Sequence, residues 1–308
     1  MTPSATDRTA ALDPAEESPR FTAAKPFLWL RAVTRWEAST RSLAVLRIGL
    51  GLLFWAEYCR VLSPFRTPDP RLAILGPIAL VAAGTFAAGW FTRASGAVLG
   101  TLFLIFFFYF GLELGMTKAF VHHHSYLLLV AILLVALGPS SRSLSFDRWR
   151  ARRRGASSPE RGPQWTLGLL RYQVALMYFW AAVNKTHWAF LSGSRLSQMF
   201  AKSFGDSDGL PVPYSDELAA IGGTGTVLLE YALAFGLWFA GPRRILVPLG
   251  ILFHAAIHLS FPVGTFSVTT CLLYLAFYPP DEVHRNIDEL LGSAGPLPRR
   301  AQVSSPEA

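Results

Sequence analysis

Charged residues are scarce in this sequence: only 16% of its 308 residues are Asp, Glu, Lys or Arg, against roughly 25% in an ordinary soluble domain. With 52% hydrophobic residues and a mean hydropathy of +0.34, that deficit argues for an integral membrane protein. Alternating ten-residue apolar strands are missing, which excludes a porin-like barrel. Cysteine is nearly absent. Cys59 and Cys271 stand alone, without a CxxC pair for redox or zinc chemistry, and each lies in or beside an apolar run where a buried free thiol is the plain reading. The first 25 residues have no apolar signal-peptide core and are rich in Thr, Ala, Pro and Glu, so they read as a disordered cytoplasmic tail. Residues 291–308 read likewise, which leaves 26–290 as one transmembrane domain.

What the chain does have is apolar sequence in blocks. Eight candidate spans run from Ser42 to Tyr58, Leu72 to Phe91, Ala94 to Leu114, Ser125 to Leu137, Leu167 to Val183, Thr224 to Ala240, Ile245 to Leu259 and Val263 to Tyr278. Several approach the roughly 20 residues that cross about 30 Å of hydrocarbon. Lipid offers the backbone no hydrogen bonds, so the expected fold is an all-α integral membrane bundle of about eight transmembrane helices. Residues 198–223 form the one sizeable connection left outside, read as a loop.

The net charge of +8 fits that layout. Arg142, Arg148, Arg150, Arg152, Arg153, Arg154 and Arg161 lie between the fourth and fifth spans. Arg8, Arg20, Lys25, Arg31, Arg35 and Arg41 precede the first, and Arg243 and Arg244 separate the sixth from the seventh. With eight spans these segments share a side, and the positive-inside rule makes it cytoplasmic. Both termini are then inside, in a multi-pass protein of the cell membrane whose expected partner is the lipid bilayer. The arginine run has only Trp149 interleaved, so no nucleic-acid partner is expected. No internal repeat points to a transporter, and nothing specifies an oligomeric state.

Ionisable residues inside spans mark functional candidates. On the eight-span layout His122, His123 and His124 enter the fourth span from the outer side, and Lys185 leaves the fifth on that side. Glu230 lies in the sixth span, with His254 and His258 in the outer half of the seventh. Convergence from four spans points to a shared outward-facing cavity. Each residue also has a plainer reading. Lys185 is equally a snorkelling lysine, His254 a packed histidine bonded between helices, and Glu230 a partner for an Arg or hydroxyl. Three consecutive helix positions point about 100° apart, so His122 and His123 read as surface residues. Trp180 and Trp188 fit an interfacial aromatic belt. His254 and His258, four apart, have the spacing of two ligands on one helix. Seven histidines are too few for the clustered boxes of membrane di-iron enzymes, and no HExxH accompanies them, so no metal is expected; a bis-histidine haem is the alternative.

Three stretches resemble a known family. "TKAFVHHHSYL" is similar to the lysine-then-histidine "NNHSYL" segment of the vitamin K-dependent gamma-carboxylases. "RYQVALMYFWAAVNKTHW" resembles their YF-x5-K helix followed by a Trp, and "LFHAAIHLSFPVGTF" their FH…F-x-x-G-x-F segment. In this order and spacing, they identify the chain as resembling the HTTM (horizontally transferred transmembrane) domain proteins. The resemblance implies that Lys185 is the base that deprotonates a reduced, vitamin K-like quinone, with His124 assisting carboxylation of the resulting carbanion. It implies a structural or cofactor-positioning role for His254, and Lys118 matches by position. Tyr126, His258, Trp188 and Glu230 join as supporting groups. The family's tandem lysine is Asn184–Lys185 here. The expected activity is quinol-linked acid–base modification of a peptide or small substrate, carboxylase-like (lyase class) if catalytic. The alternative is a non-catalytic membrane partner in maturation or export of a secreted peptide.

Overall fold

A computed structural model describes residues 36–67, 69–204, 216–261 and 263–292. The tail expected at 1–25, all but the first two residues of the tail expected at 291–308, and the centre of the 198–223 connection lie outside the described residues.

The chain enters through a short strand, β1 (Glu37–Ser39), paired antiparallel with β2 (Arg161–Pro163) in the register Glu37↔Pro163. The Gln164 amide clamps this ribbon by donating to the carbonyls of Ala38, Ser39 and Gly162. Helices account for most of the rest. α1 (Arg41–Tyr58), α2 (Pro70–Ala88) and α3 (Thr92–Ile105) come first, and α3 runs on as a π-helical segment, Phe106–Glu113. A short α4 (Thr117–Phe120), α5 (His123–Leu137) and α6 (Phe146–Arg153) follow, then α7 (Trp165–Lys185), α8 (Trp188–Leu191) and α9 (Ser194–Phe204). The chain continues through α10 (Asp216–Gly236), α11 (Ala240–Ser260), α12 (Phe266–Leu273, extended by a 3-10 turn Tyr274–Phe277) and α13 (Pro280–Leu290).

Local chemistry sets the boundaries. Asp69 caps α2 by accepting from the Arg71 and Leu72 amides, with Pro70 in the first turn where its missing N–H costs nothing. Gly89, at φ +70°, ends α2 in the left-handed conformation. α3 borrows its cap from afar: the Asp147 carboxylate of α6 accepts from the Phe91 and Thr92 amides and from the Thr92 hydroxyl.

Each of the eight apolar blocks is occupied by a helix in chain order. The structure differs from expectation at the sixth, where α10 begins at Asp216 and ends at Gly236, followed by a turn. Much of the expected 198–223 loop is therefore helical, in α9 and the first turns of α10. Among the described residues, three helices are long and apolar enough to cross a membrane: Pro70–Ala88, Thr92–Glu113 and Glu217–Gly236. His124–Leu137 and Phe266–Phe277 are shorter apolar helices. α1, α7 and α11 are 18 to 21 residues long but carry Arg47, Arg171, Lys185, Arg243 and Arg244, which dilute their apolar character.

α2 packs with large aliphatic residues outward and mostly small residues inward. On α2 the exposed face is Ile74, Ile78 and Val81, whereas Gly76, Ala79, Ala83 and Phe86 are buried. Without a hydrophobic force between helices in lipid, small inward residues gain stability from close approach; Gly51 of α1 is so near Ala83 and Ala87 of α2 that a Cβ would lie 2.9 Å from the Ala83 carbonyl oxygen. Inside, Phe54, Tyr58, Phe103, Phe106, Phe110 and Phe120 form a chain of ring contacts. α7 packs along α10, and α12 touches α1, α5, α7 and α11.

The basic segments meet at one end of this bundle. Arg41 pairs with Glu160 at 2.7 Å and with Asp288, Arg148 with Glu160, and Arg161 with Asp281 at 3.1 Å. Arg243 donates to the Phe277 carbonyl at 2.6 Å. Beneath them Arg47 is completely buried, its guanidinium donating to the carbonyls of Ala87, Ser140, Ser143 and Leu144.

Candidate functional site

The opposite end of the bundle holds the predicted site residues, in three groups. The first lies at the end of α7. Lys185 Nζ donates to both carboxylate oxygens of Glu230 on α10, at 2.7 and 2.9 Å, and more weakly to the Ala181 carbonyl at 3.4 Å. Glu230 is 4% exposed, whereas the Lys185 side chain keeps 30%. The pair is thus open on the lysine side only. Phe190 lies 6.0 Å from the ammonium, and Trp188, at 81% exposure, stands next to it in α8.

The second group joins α5, α1 and the turn before α12. His124 Nε2 approaches Glu57 Oε1 at 3.1 Å, an ion-pair distance that lies off the line of a good hydrogen bond. The other Glu57 oxygen accepts from the Thr265 amide at 2.9 Å. Gly264, at φ +54°, lies against the pair: a Cβ there would be 2.9 Å from Glu57 Oε1 and 3.2 Å from His124 Cε1. Next door, the Tyr58 and Ser125 hydroxyls share a 2.7 Å hydrogen bond. The His122 ring stacks on that of His124 at 4.9 Å between centroids. His122 precedes α5 in extended backbone, so the helical spacing that would separate their side chains does not apply. His122 also bonds the Lys118 carbonyl at 2.7 Å. The Lys118 side chain is exposed.

The third group is interior. His254 of α11, 1% exposed, bonds the Tyr178 hydroxyl through Nε2 at 2.6 Å, and Tyr178 in turn bonds the Tyr274 hydroxyl. His254 Nδ1 is buried without a partner among the described residues. His258 is exposed, so the two histidines four apart on α11 face different surroundings. Tyr126 is half exposed and packs on Phe107 at 4.5 Å.

These groups adjoin without merging. Tyr178 and Lys185, seven apart on α7, share a face about 10 Å apart along the axis. The 264–266 turn joins the second group to the third, because Thr265 holds Glu57 while the Phe266 ring lies 5.5 Å from His254. Lys185 and His124 are not in contact; each has its own carboxylate. Among the described residues no cluster of three His, Cys, Asp or Glu side chains is set to hold a metal ion.

Glu57, Tyr178, Tyr274 and Gly264 were missed by sequence reasoning. Glu57 carried the same signal as Glu230, an acid inside an apolar block, and the rule that selected Glu230 selects it too. Tyr178 and Tyr274 looked like ordinary apolar-block aromatics, and only the packing of α7, α11 and α12 makes them partners.

This arrangement has two strong Brønsted centres, each a cation-forming side chain beside a carboxylate, plus a buried imidazole aligned by two phenols. These groups lie at the end of the bundle away from the basic segments, and side chains of these types are able to take up and give protons. In comparisons with known proteins, no curated protein and no solved structure matches the chain. A family model, the HTTM domain, matches residues 61–281, a stretch containing Lys185, Glu230, His124, His254 and the turn that holds Glu57. The chain therefore belongs to the HTTM domain family, and its long apolar helices mark it as a membrane protein.

Proposed function

We propose that this protein modifies a peptide or small substrate by membrane-embedded acid–base chemistry linked to a reduced quinone, with Lys185 as base and His124 as the assisting acid or base. The observation that carries the reading is the half-open Lys185–Glu230 pair: an amine held at 2.7 Å by a buried carboxylate yet accessible on its other side. Glu230 holds Lys185 through its hydrogen bonds and, by taking one proton from the ammonium, frees the amine lone pair to receive a proton from the substrate. Lys185 with the Trp188 and Phe190 rings fits a quinol, offering a base to the hydroxyl and apolar walls to the ring. When bound, such a quinone supplies the reducing equivalents for activating oxygen. The Glu57 carboxylate orients His124, and Tyr178 orients His254.

In this reading eight helices cross the membrane, both termini are cytoplasmic, and the polar groups face outward. The gathering of Arg41, Arg148, Arg161 and Arg243 at one end supports that orientation. A cysteine placed at Gly209 is then labelled by an impermeant maleimide on intact cells; labelling only after permeabilisation overturns the layout.

The catalytic test is Lys185→Arg. Arginine keeps the ion pair but does not deprotonate in proteins. Incorporation of labelled bicarbonate into a glutamate-containing peptide, with reduced quinone added to membranes, is expected to fall by about 10²–10⁴-fold. Full function of K185R in complementation rejects the base role. A second reading, a non-catalytic membrane partner in maturation or export of a secreted peptide, draws on one specific observation. Both Lys185 and His124 are already paired across helices, as structural ties would be. Complementation by K185R without any bicarbonate incorporation favours it.

A further inference from the structure

The basic face of α6 carries a feature that neither the fold nor the proposed chemistry uses. Arg148, Trp149, Arg152 and Arg153, with Leu144 and Ser145, line an open groove of about 490 Å³. Residues 148 and 152, and 149 and 153, are one turn apart, so the four side chains occupy adjoining rows of one helix face. Arg148 is already neutralised by Glu160. Arg152 and Arg153 are exposed and, among the described residues, no carboxylate lies within ion-pair range of either. The Arg153 guanidinium lies 4.2 Å above the Trp149 ring, an arrangement that leaves its N–H edge free for an anion.

An aromatic rim borders this groove. Trp90, Phe91, Phe146 and Trp149 are all exposed and in ring contact, with Trp90–Phe91 at 5.8 Å, Trp90–Phe146 at 6.2 Å and Phe146–Trp149 at 4.7 Å. Its depth is fixed by the chain. Trp90 and Phe91 make the turn between α2 and α3, two of the helices long and apolar enough to cross a membrane. Asp147 fastens the first turn of α6 to that turn through three hydrogen bonds. A helix attached where two spans end lies at the headgroup level, the depth that tryptophan favours. Uncompensated guanidiniums there meet the phosphates of anionic lipids, and an arginine fork matches a phosphate through paired N–H donors.

We propose that the α6 groove binds the phosphate headgroup of an anionic phospholipid, with Arg152 and Arg153 donating to the phosphate and Trp149 and Phe146 packing on the glycerol and first acyl carbons. The proposal is independent of the chemistry assigned to Lys185. Native mass spectrometry of the full chain in mild detergent, titrated with phosphatidylglycerol or phosphatidylcholine, tests it. The wild type is expected to hold phosphatidylglycerol at least tenfold more tightly. R152Q/R153Q loses roughly fivefold per guanidinium removed, and R152K/R153K recovers part of the loss. Equal retention of both lipids overturns the proposal, as does undiminished retention by R152Q/R153Q or an equal loss in R150Q/R154Q. Displacement of the lipid by millimolar inorganic phosphate identifies a free-anion site instead and also overturns it. If R152Q/R153Q fails to accumulate, quenching by brominated phosphatidylglycerol decides: the excess quenching must vanish in W149F, and an unchanged signal refutes the site.

Discussion

Removing Lys185 must cost more than removing Glu230, because the two partners are unequally exposed. In K185M the Glu230 carboxylate, 4% exposed and, among the described residues, bonded by nothing but Lys185, is left charged among apolar helices unless it takes a proton. Protonating an ordinary carboxyl of reference pKa near 4.3 at pH 7 costs 1.36 kcal/mol per pH unit, which caps the penalty at about 3.7 kcal/mol. In E230Q the remaining ammonium keeps 30% of its side chain exposed and can turn to water, so the expected loss is about 1 kcal/mol. The sign of the pH dependence follows. The K185M native state gains a proton that its unfolded state does not hold at pH 7, so its deficit against wild type shrinks on acidification, to about 1 kcal/mol at pH 5. Unfolding in mixed detergent–SDS micelles, followed by circular dichroism at pH 7 and pH 5, measures both effects. K185M/E230L is expected to recover most of the loss, since neither charge remains to be orphaned, and K185R to stay near wild type in stability. A pH-independent K185M penalty, or E230Q the more damaging of the two, refutes the argument.

Other perturbations follow from the same contacts. Gly264→Ala combines a left-handed backbone penalty of roughly 1–2 kcal/mol with a Cβ 2.9 Å from Glu57 Oε1, so it is expected to destabilise the chain and to shift the His124 resonances in ¹⁵N-histidine spectra; unchanged spectra would contradict the packing. Arg47→Met strips the donor from four carbonyls, three buried and that of Leu144 part-buried, at about 1–3 kcal/mol for each buried acceptor left bare. Loss of the monodisperse species on gel filtration is expected, with R47K milder. His284 on α13 has its pKa held below the ordinary 6.5 by burial, reinforced by the Arg41 charge, against the opposing pull of Asp288. Its contribution to stability is complete above pH 6.5 and is lost as pH falls through the lower native value. H284Q is expected to flatten that decline, read as resistance to proteolysis of the α13 end between pH 7 and pH 5.

Much of this was legible from sequence because a lipid-facing helix needs a continuous apolar block, and such blocks are local. The blocks Leu72–Phe91 and Ala94–Leu114 end within three residues of α2 and of α3 with its π-helical extension, although Asp69–Pro70 and Gly89, local signals that mark the ends of α2, were not used. Lys185, Glu230, His124 and His254 could be named as charges or imidazoles out of place in apolar surroundings. Their partners could not be read: Lys185 and Glu230 are 45 residues apart, and Glu57 reaches Thr265 across 208. The β1–β2 ribbon escaped for a similar reason, as strands of three residues carry no periodicity and are held by the distant Gln164 side chain. His122 is exposed, as expected, but not for the helical reason given: it precedes α5 in extended backbone, and its ring stacks on His124.

Buried Arg47 has a consequence for how the chain is built. α1 emerges from the ribosome long before Ser140, Ser143 and Leu144, whose carbonyls lie 93 to 97 residues downstream of the guanidinium they receive. On the proposed eight-span layout, α1 presents an unpaired arginine to the bilayer until they arrive, a costly arrangement for a charge within a span. On that layout α1, the first helix of the described residues, is among the last to settle, locking only when the 140–144 connection closes over it. An insertion intermediate truncated before residue 140 is accordingly expected to leave α1 extractable.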